Sequence, residues 1–317
     1  MLNEREIVTA MQEGLRAYGR GELRNGKGGV EVFERNGEKR LHIVNEAEDP
    51  VHALRVVKTI DETWKGAQKT GRTTSVTLYQ NNQPILSDET DNITNARTGA
   101  AAALAAYWLA PRVEHQRVAV IGTGAVAQSA IQGLAELMNP EEIHFGTSSE
   151  ERAKAFQADA AKLVPRAKLV GHVLYAGSGF SEDARPLFEG TTVLVIANAL
   201  KYPLPASLVD LMHPHAHISA MSGDGHQNNI ELDVLVRKDV HYAFDVVDRS
   251  RRSSEVRLLS PEAFSGINSI GTIGDLARNA GEKYRDVFTI YDSSGMGVSD
   301  LILARAIAVK EGKLHID

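Results

Sequence analysis

The sequence predicts an α/β chain, a doubly wound parallel sheet accompanied by an α+β domain. Three observations point there. From about residue 112, short apolar runs alternate with helical stretches, the pattern of parallel strands covered on both faces. A Gly-x-Gly-x-x-Ala loop joins the first of those runs to a helix. Before them lie one helix and several polar, alternating strand-like segments. A chain of 317 residues, 43% hydrophobic, suffices for two domains or one large one. The expected division is 1–111 with 293–317 against 112–292.

Taken in order, "MLNEREIVTAMQEGLRAYGRG" reads as an amphipathic helix charged along its length. It suits neither a signal peptide nor a membrane span, so a cytoplasmic protein is expected. "GGVEVFER", "KRLHIVNE" and "TSVTLYQNNQPILSDE" read as strands, with "QNNQ" as a hairpin turn. In "NITNARTGAAAALAAYWLA", Thr94 can cap an alanine-rich helix whose small side chains permit close packing, and Pro111 stops it. The strands that follow are "RVAVIG", "EEIHFG", "AKLVGH", "TTVLVIAN", "AHISAMS", "HYAFDVV" and "DVFTIYDSSG". "GVSDLILARAIAVKEG" reads as a final amphipathic helix.

Composition excludes several chemistries. The chain has no cysteine, which rules out disulfides, thiol nucleophiles and thiolate metal sites. The net charge is -6 with acids and bases interspersed, and no basic block would track a phosphate backbone, so nucleic acid is not an expected partner.

"VAVIGTGAVAQSAIQGLAELM" carries the strongest motif. Gly122 permits the tight turn, Gly124 lets the backbone approach a pyrophosphate, and Ala127 takes the third small position. The helix N-terminus supplies amide donors and a favourable dipole. The loop reads as a Rossmann-type dinucleotide site rather than a merely structural turn, with Gly122, Thr123, Gly124, Ala125, Val126 and Asn198 as candidate cofactor-binding residues. Where an NAD site usually places an acid, the second strand has Gly146, then Thr147, Ser148, Ser149 and Arg152. Hydroxyls and a guanidinium can bind a 2'-phosphate that a carboxylate would repel, so NADP is favoured over NAD. Ser149 also suits a helix cap.

Further along, "SGDG" sets Asp224 between two glycines after an apolar run. Locally it suits a turn; at the carboxyl end of a parallel strand it also suits a ligand-facing acid. His226 could line the same site. His213, His215 and His217 alternate, but they start at a Pro-containing turn with no further ligand, so no metal is expected. "SRRSSE" reads as a solvated basic turn, and "SSGMGVSD" as a segment near cofactor or substrate with Asp300 helping to cap the last helix.

The stretch "NITNARTGAAAALAAYWLA" running into "VAVIGTGAVAQ" resembles the ornithine cyclodeaminase and μ-crystallin family, as do "SGDGHQNNIELD" and "FTIYDSSGMGVSDLILARA". The likeness covers roughly residues 50 to 310. It implies a Rossmann domain inserted in a substrate-binding and dimerisation domain, a homodimer, and a small amino- or imino-acid substrate. By the same resemblance, Lys58 and Arg97 hold the substrate's α-carboxylate and Asp224 exchanges a proton with the amine or an attacking water. The implied activity is that of an NAD(P)-dependent oxidoreductase, with hydride transfer at the α-carbon. A cyclodeaminase-type lyase that releases ammonia is the alternative, and a non-enzymatic NADP-binding protein the second. Two departures stand out. The family's upstream Pro-x-Arg has no clear counterpart, Arg24, Lys27 and Arg35 being the nearby cations, and of its Cys-Pro-Gly-Lys-Thr-Glu signature only Glu231 is kept.

Overall fold

Asn3 and Glu6 each accept from the other's backbone N–H, and this reciprocal cap opens α1 (Glu4–Gly19), which buries Val8, Met11 and Leu15 on one stripe. Strands β1 (Arg24–Asn25), β2 (Gly29–Arg35), β3 (Glu38–Asp49), β4 (Leu54–Lys65), β5 (Gln68–Gln80) and β6 (Gln83–Asp88) follow. They form an antiparallel sheet in the order β1-β3-β4-β5-β6, with β2 also on β3. "QNNQ" is the hairpin turn expected: Asn81 and Asn82 have φ of 50° and 63° and join β5 to β6.

The computed structural model describes residues 2–316 except 27, 36–37, 67, 222–227 and 280. It divides into two units, Met1–Arg97 with Met296–Asp317, and Thr98–Gly295. The C-terminal helix (Gly297–Lys310) belongs to the first unit and packs on α1 and on β3, β4 and β5. It is not amphipathic. Every residue from Gly297 to Ala304 is buried, because sheet and helix cover it from different sides. At Gly297 a side chain would stand 2.4 Å from the Glu46 carbonyl oxygen.

Helix α2 (Asn92–Leu109) starts before Thr94. Asn92 N–H donates to Thr90 Oγ1 and Ile93 N–H to Asp88 Oδ2, so these side chains serve the first turn and Thr94 lies inside the helix.

In the second unit the strands are β7 (Val118–Ile121), β8 (Glu142–Thr147), β9 (Lys168–Val173), β12 (Val193–Ile196), β13 (His217–Ala220), β14 (Val240–Phe244), β15 (Asn268–Thr272) and β16 (Phe288–Asp292). A small hairpin, β10 (Tyr175–Ala176) with β11 (Gly179–Phe180), stands apart from them. The sheet runs β15-β14-β16-β13-β12-β7-β8-β9, and all its pairs are parallel. β7, β12 and β13 are buried throughout, which explains the unbroken apolar runs of β7 and β12. β15, "NSIGT", is a half-buried edge strand with no such run, and no periodicity announces it. Helices α3 (Ala125–Met138) and α4 (Glu150–Leu163) follow β7 and β8. Ala102, Ala103 and Ala106 of α2 share a core with Ala127, Ala130 and Ile131 of α3. The approach is closest at Gly99, where a Cβ would fall 2.4 Å from Ser129 Cβ. Strand order reverses at β7, with β8 on one side and β12 on the other, which leaves a crevice at their carboxyl ends.

Candidate active site

At that crevice the glycine loop has the expected form. Gly122 follows β7 with φ of 125°, a conformation other residues rarely adopt, and its N–H donates to Gly146 O at 3.0 Å. Asn198, after β12, lies close by, its Oδ1 3.2 Å from where a Gly122 side chain would begin. Gly124 is the N-cap of α3, no side chain caps that helix, and a Cβ at Gly124 would meet nothing within 4 Å. Thr123 is half-buried, Gly124 and Ala125 are exposed and Val126 is half-buried. Uncapped amide donors beside open space are what a pyrophosphate requires, so these residues fit a dinucleotide.

Around the second strand, Gly146 is sealed: a Cβ there would stand 2.6 Å from Leu174 Cδ2, so a carboxylate side chain does not fit without displacing Leu174. Thr147 is buried, while Ser148 and Arg152 are exposed. Ser149 Oγ caps α4 by accepting from Arg152 N–H at 3.3 Å.

The first unit holds a cluster of charges. Lys58, on the covered face of β4, is 1% exposed, Arg97 7% and Asp300 0%. Asp300 Oδ1 accepts from Arg97 Nε at 3.0 Å and from Lys58 Nζ at 3.4 Å, and Asp300 Oδ2 is buried with no hydrogen bond among the described residues. Two buried cations thus share one carboxylate, which leaves one positive charge unbalanced, an arrangement that favours an anionic ligand. Burial pushes the Lys58 ammonium from its ordinary 10.5 down to about 8, opposed by Asp300 and assisted by Arg97 and Arg72. Asp300, expected at the helix cap, makes no cap: it is the counter-ion of both cations. No spacing in the sequence signals that partnership, because 242 residues separate Lys58 from Asp300.

Asp224 and His226 lie outside the described residues. The chain immediately after them is firmly held. Asn229 donates from its N–H and its Nδ2 to the Glu255 carboxylate, both at 2.8 Å, and Ile230 N–H adds a third bond at 3.2 Å. Asp292, ending β16, in turn accepts from Ser254 Oγ and from the Glu255 and Val256 amides. Burial and the nearby Glu255 push Asp292 up to about 7. "SRRSSE" is therefore not a solvated turn, since Ser250, Ser254 and Glu255 are buried. A neighbouring acid, Asp245, pins the "SSG" segment: its Oδ2 accepts from Ser293 Oγ at 2.8 Å and Gly295 N–H at 2.6 Å, and its Oδ1 from Tyr291 Oη. An acid closing an apolar strand, as in "YAFD" and "FTIYD", is the one sequence signal these networks leave.

The three histidines separate. β13 begins at His217, which is wholly buried between Thr289 Oγ1 and Ser219 Oγ, whereas His213 accepts from the His215 N–H in the preceding turn. Among the described residues no group of three or more His, Asp or Glu could hold a metal ion. Arg24 is exposed on β1, and Lys27 and the Arg35 side chain lie outside the described residues. No helix among the described residues is long and apolar enough to cross a membrane.

The ornithine cyclodeaminase/mu-crystallin family model matches residues 2–312. The chain belongs to this family. It is 26% identical over 237 residues to an ornithine cyclodeaminase of Agrobacterium fabrum, a match that covers 73% of this chain and 61% of that protein. The Thermococcus litoralis Δ1-pyrroline-2-carboxylate reductase, solved with NADH and L-proline, superposes with a TM-score of 0.78 at 15% identity, covering 98% of this chain and 95% of that one. The iminosuccinate reductase of Paracoccus denitrificans, solved with NAD+, superposes with a TM-score of 0.78 at 17% identity, covering 100% of this chain and 96% of that one. At these identities the two likenesses are likenesses of fold.

Proposed function

We propose that this member of the family is a nicotinamide-dependent oxidoreductase of a small α-amino or α-imino acid. The observation that carries the reading is the unbalanced positive charge of Lys58, Arg97 and Asp300, a buried anchor for one carboxylate. Family membership and the open glycine loop support it. Lys58 and Arg97 would hold the α-carboxylate by charge-assisted hydrogen bonds, fixing which carbon is presented for reaction. Asp224 would hold or release a proton at the substrate nitrogen. Residues Gly122 to Val126 and Asn198 would hold the nucleotide, which when bound supplies or accepts the hydride at the α-carbon. Thr147, Ser148 and Arg152 favour NADP, a preference supported by the sealed Gly146 position. A homodimer, implied by the family resemblance, completes the proposal and is tested by light scattering.

The test is incubation with NADPH or NADH and a panel of cyclic and linear imino acids, followed by loss of the reduced-nicotinamide absorbance. Net oxidation with at least one imino acid, faster with NADPH, is expected. The 26% identity to an ornithine cyclodeaminase favours a second reading, a lyase. Ammonia released from ornithine with no net change in nucleotide would sink the reductase reading in its favour.

A further inference from the structure

The anchor holds one group to which the proposed reaction gives no task. Asp300 stands in the first turn of the C-terminal helix, where an acid ordinarily serves the free amides, yet it makes no cap. We propose that Asp300 is the positioning residue of the carboxylate anchor, fixing Arg97 by its Nε and keeping Lys58 charged. The inference rests on the reading of Lys58 and Arg97 as carboxylate ligands.

The geometry gives Asp300 the first half of that role. Its Oδ1 engages Arg97 only at Nε, and no hydrogen bond to a described residue occupies the two terminal guanidinium nitrogens. Those nitrogens form the outer edge of the fork, which can meet a carboxylate in two parallel bonds. Lys58 likewise spends one of its three donors on Asp300, and no hydrogen bond to another described residue occupies the other two.

The second half follows from what surrounds Lys58. Asp300 reaches it from the C-terminal helix, Arg97 from α2 and Arg72 from β5, while its cross-strand neighbours, Asn45 on β3 and Val76 on β5, are uncharged. Burial, Arg97 and Arg72 all favour loss of the Lys58 proton, and Asp300 alone opposes them. Because Asp300 Oδ2 accepts nothing among the described residues, the two cations are what balance this carboxylate. Without Asp300, Lys58 would be neutral near neutral pH and would hold a carboxylate only as a weak donor. A bound substrate carboxylate adds a second anion, so binding above about pH 8 takes up a proton.

The test is NMR of the full chain labelled with 13C at lysine Cε, the Lys58 signal being assigned by its loss in Lys58→Met. Asp300→Asn should lower the Lys58 titration midpoint by about one pH unit or more, and Arg97→Gln should raise it. If Asp300→Asn does not fold, Arg97→Gln compared with Arg97→Gln/Asp300→Asn shows the same downward step, since the second variant keeps the buried charge of the native cluster. With the imino acid turned over fastest in the panel, Asp300→Asn should raise KM and move the basic limb of kcat/KM to lower pH by the same amount. A purely structural Asp300 would lower the folded fraction and leave that limb in place. An unmoved Lys58 midpoint overturns the proposal even where turnover is found. A moved midpoint with no turnover on any imino acid upholds the coupling and overturns the proposed reaction.

Discussion

The two units offer candidate sites of different kinds. In Thr98–Gly295 the candidate nucleotide site is made of backbone: a glycine at φ 125°, an uncapped helix N-terminus and open space. In the other unit the candidate site is made of buried charged side chains on three elements far apart in sequence. A backbone site tolerates variety around it, because its donors exist in any helix of that sequence pattern. A buried charge cluster depends on each member, because removing one leaves another unpaired.

The contrast is broken or sharpened by variants, from the largest effect down. Arg97→Ala should lower kcat/KM on the true substrate by about a hundredfold to a thousandfold or more, the range for truncating a buried charge partner, with nucleotide affinity unchanged in fluorescence titrations. A matching loss of nucleotide affinity would show that the two sites are not separable. Gly99→Ala should destabilise the fold by ~1–3 kcal/mol in denaturant melts, because its Cβ would meet the α3 backbone at Ala130 N, 2.5 Å away. Gly124→Val, whose Cβ meets nothing, should leave the melt unchanged and weaken nucleotide binding by about tenfold or more. Equal melts for both glycine variants would refute the distinction between a packing glycine and a ligand glycine.

A separate effect is one of pH. Asp292 is pushed up to about 7 from an ordinary 3.8. The folded state therefore binds its proton more tightly, and its contribution to stability, full below 3.8, is lost as pH rises through about 7. Urea melts of the native chain and Asp292→Asn should diverge across that window and run parallel above it.

What the sequence makes legible follows the same contrast. Strands β7 and β12 are apolar runs because both faces are buried, and the loop glycines stand at fixed offsets from β7, so local pattern suffices to find them. Lys58 and Arg97 look locally like a strand lysine and a first-turn arginine, and the family resemblance singled them out. Local sequence suggests a cap for Asp300 and a solvated turn for Glu255, whereas each is defined by a partner that only the tertiary fold supplies. Thr94 failed as a cap because Asp88 and Thr90, in the preceding turn, take the first helical amides.

The position of β16 bears on how the chain assembles. Among the sheet strands it is the last to be made, yet it lies between β13 and β14, which pair with it and not with each other. Until Phe288–Asp292 has been synthesised, both neighbours present unpaired edges. Completion of this sheet must therefore follow synthesis of nearly the whole chain, and a nascent chain ending before Phe288 should need a chaperone to stay unaggregated.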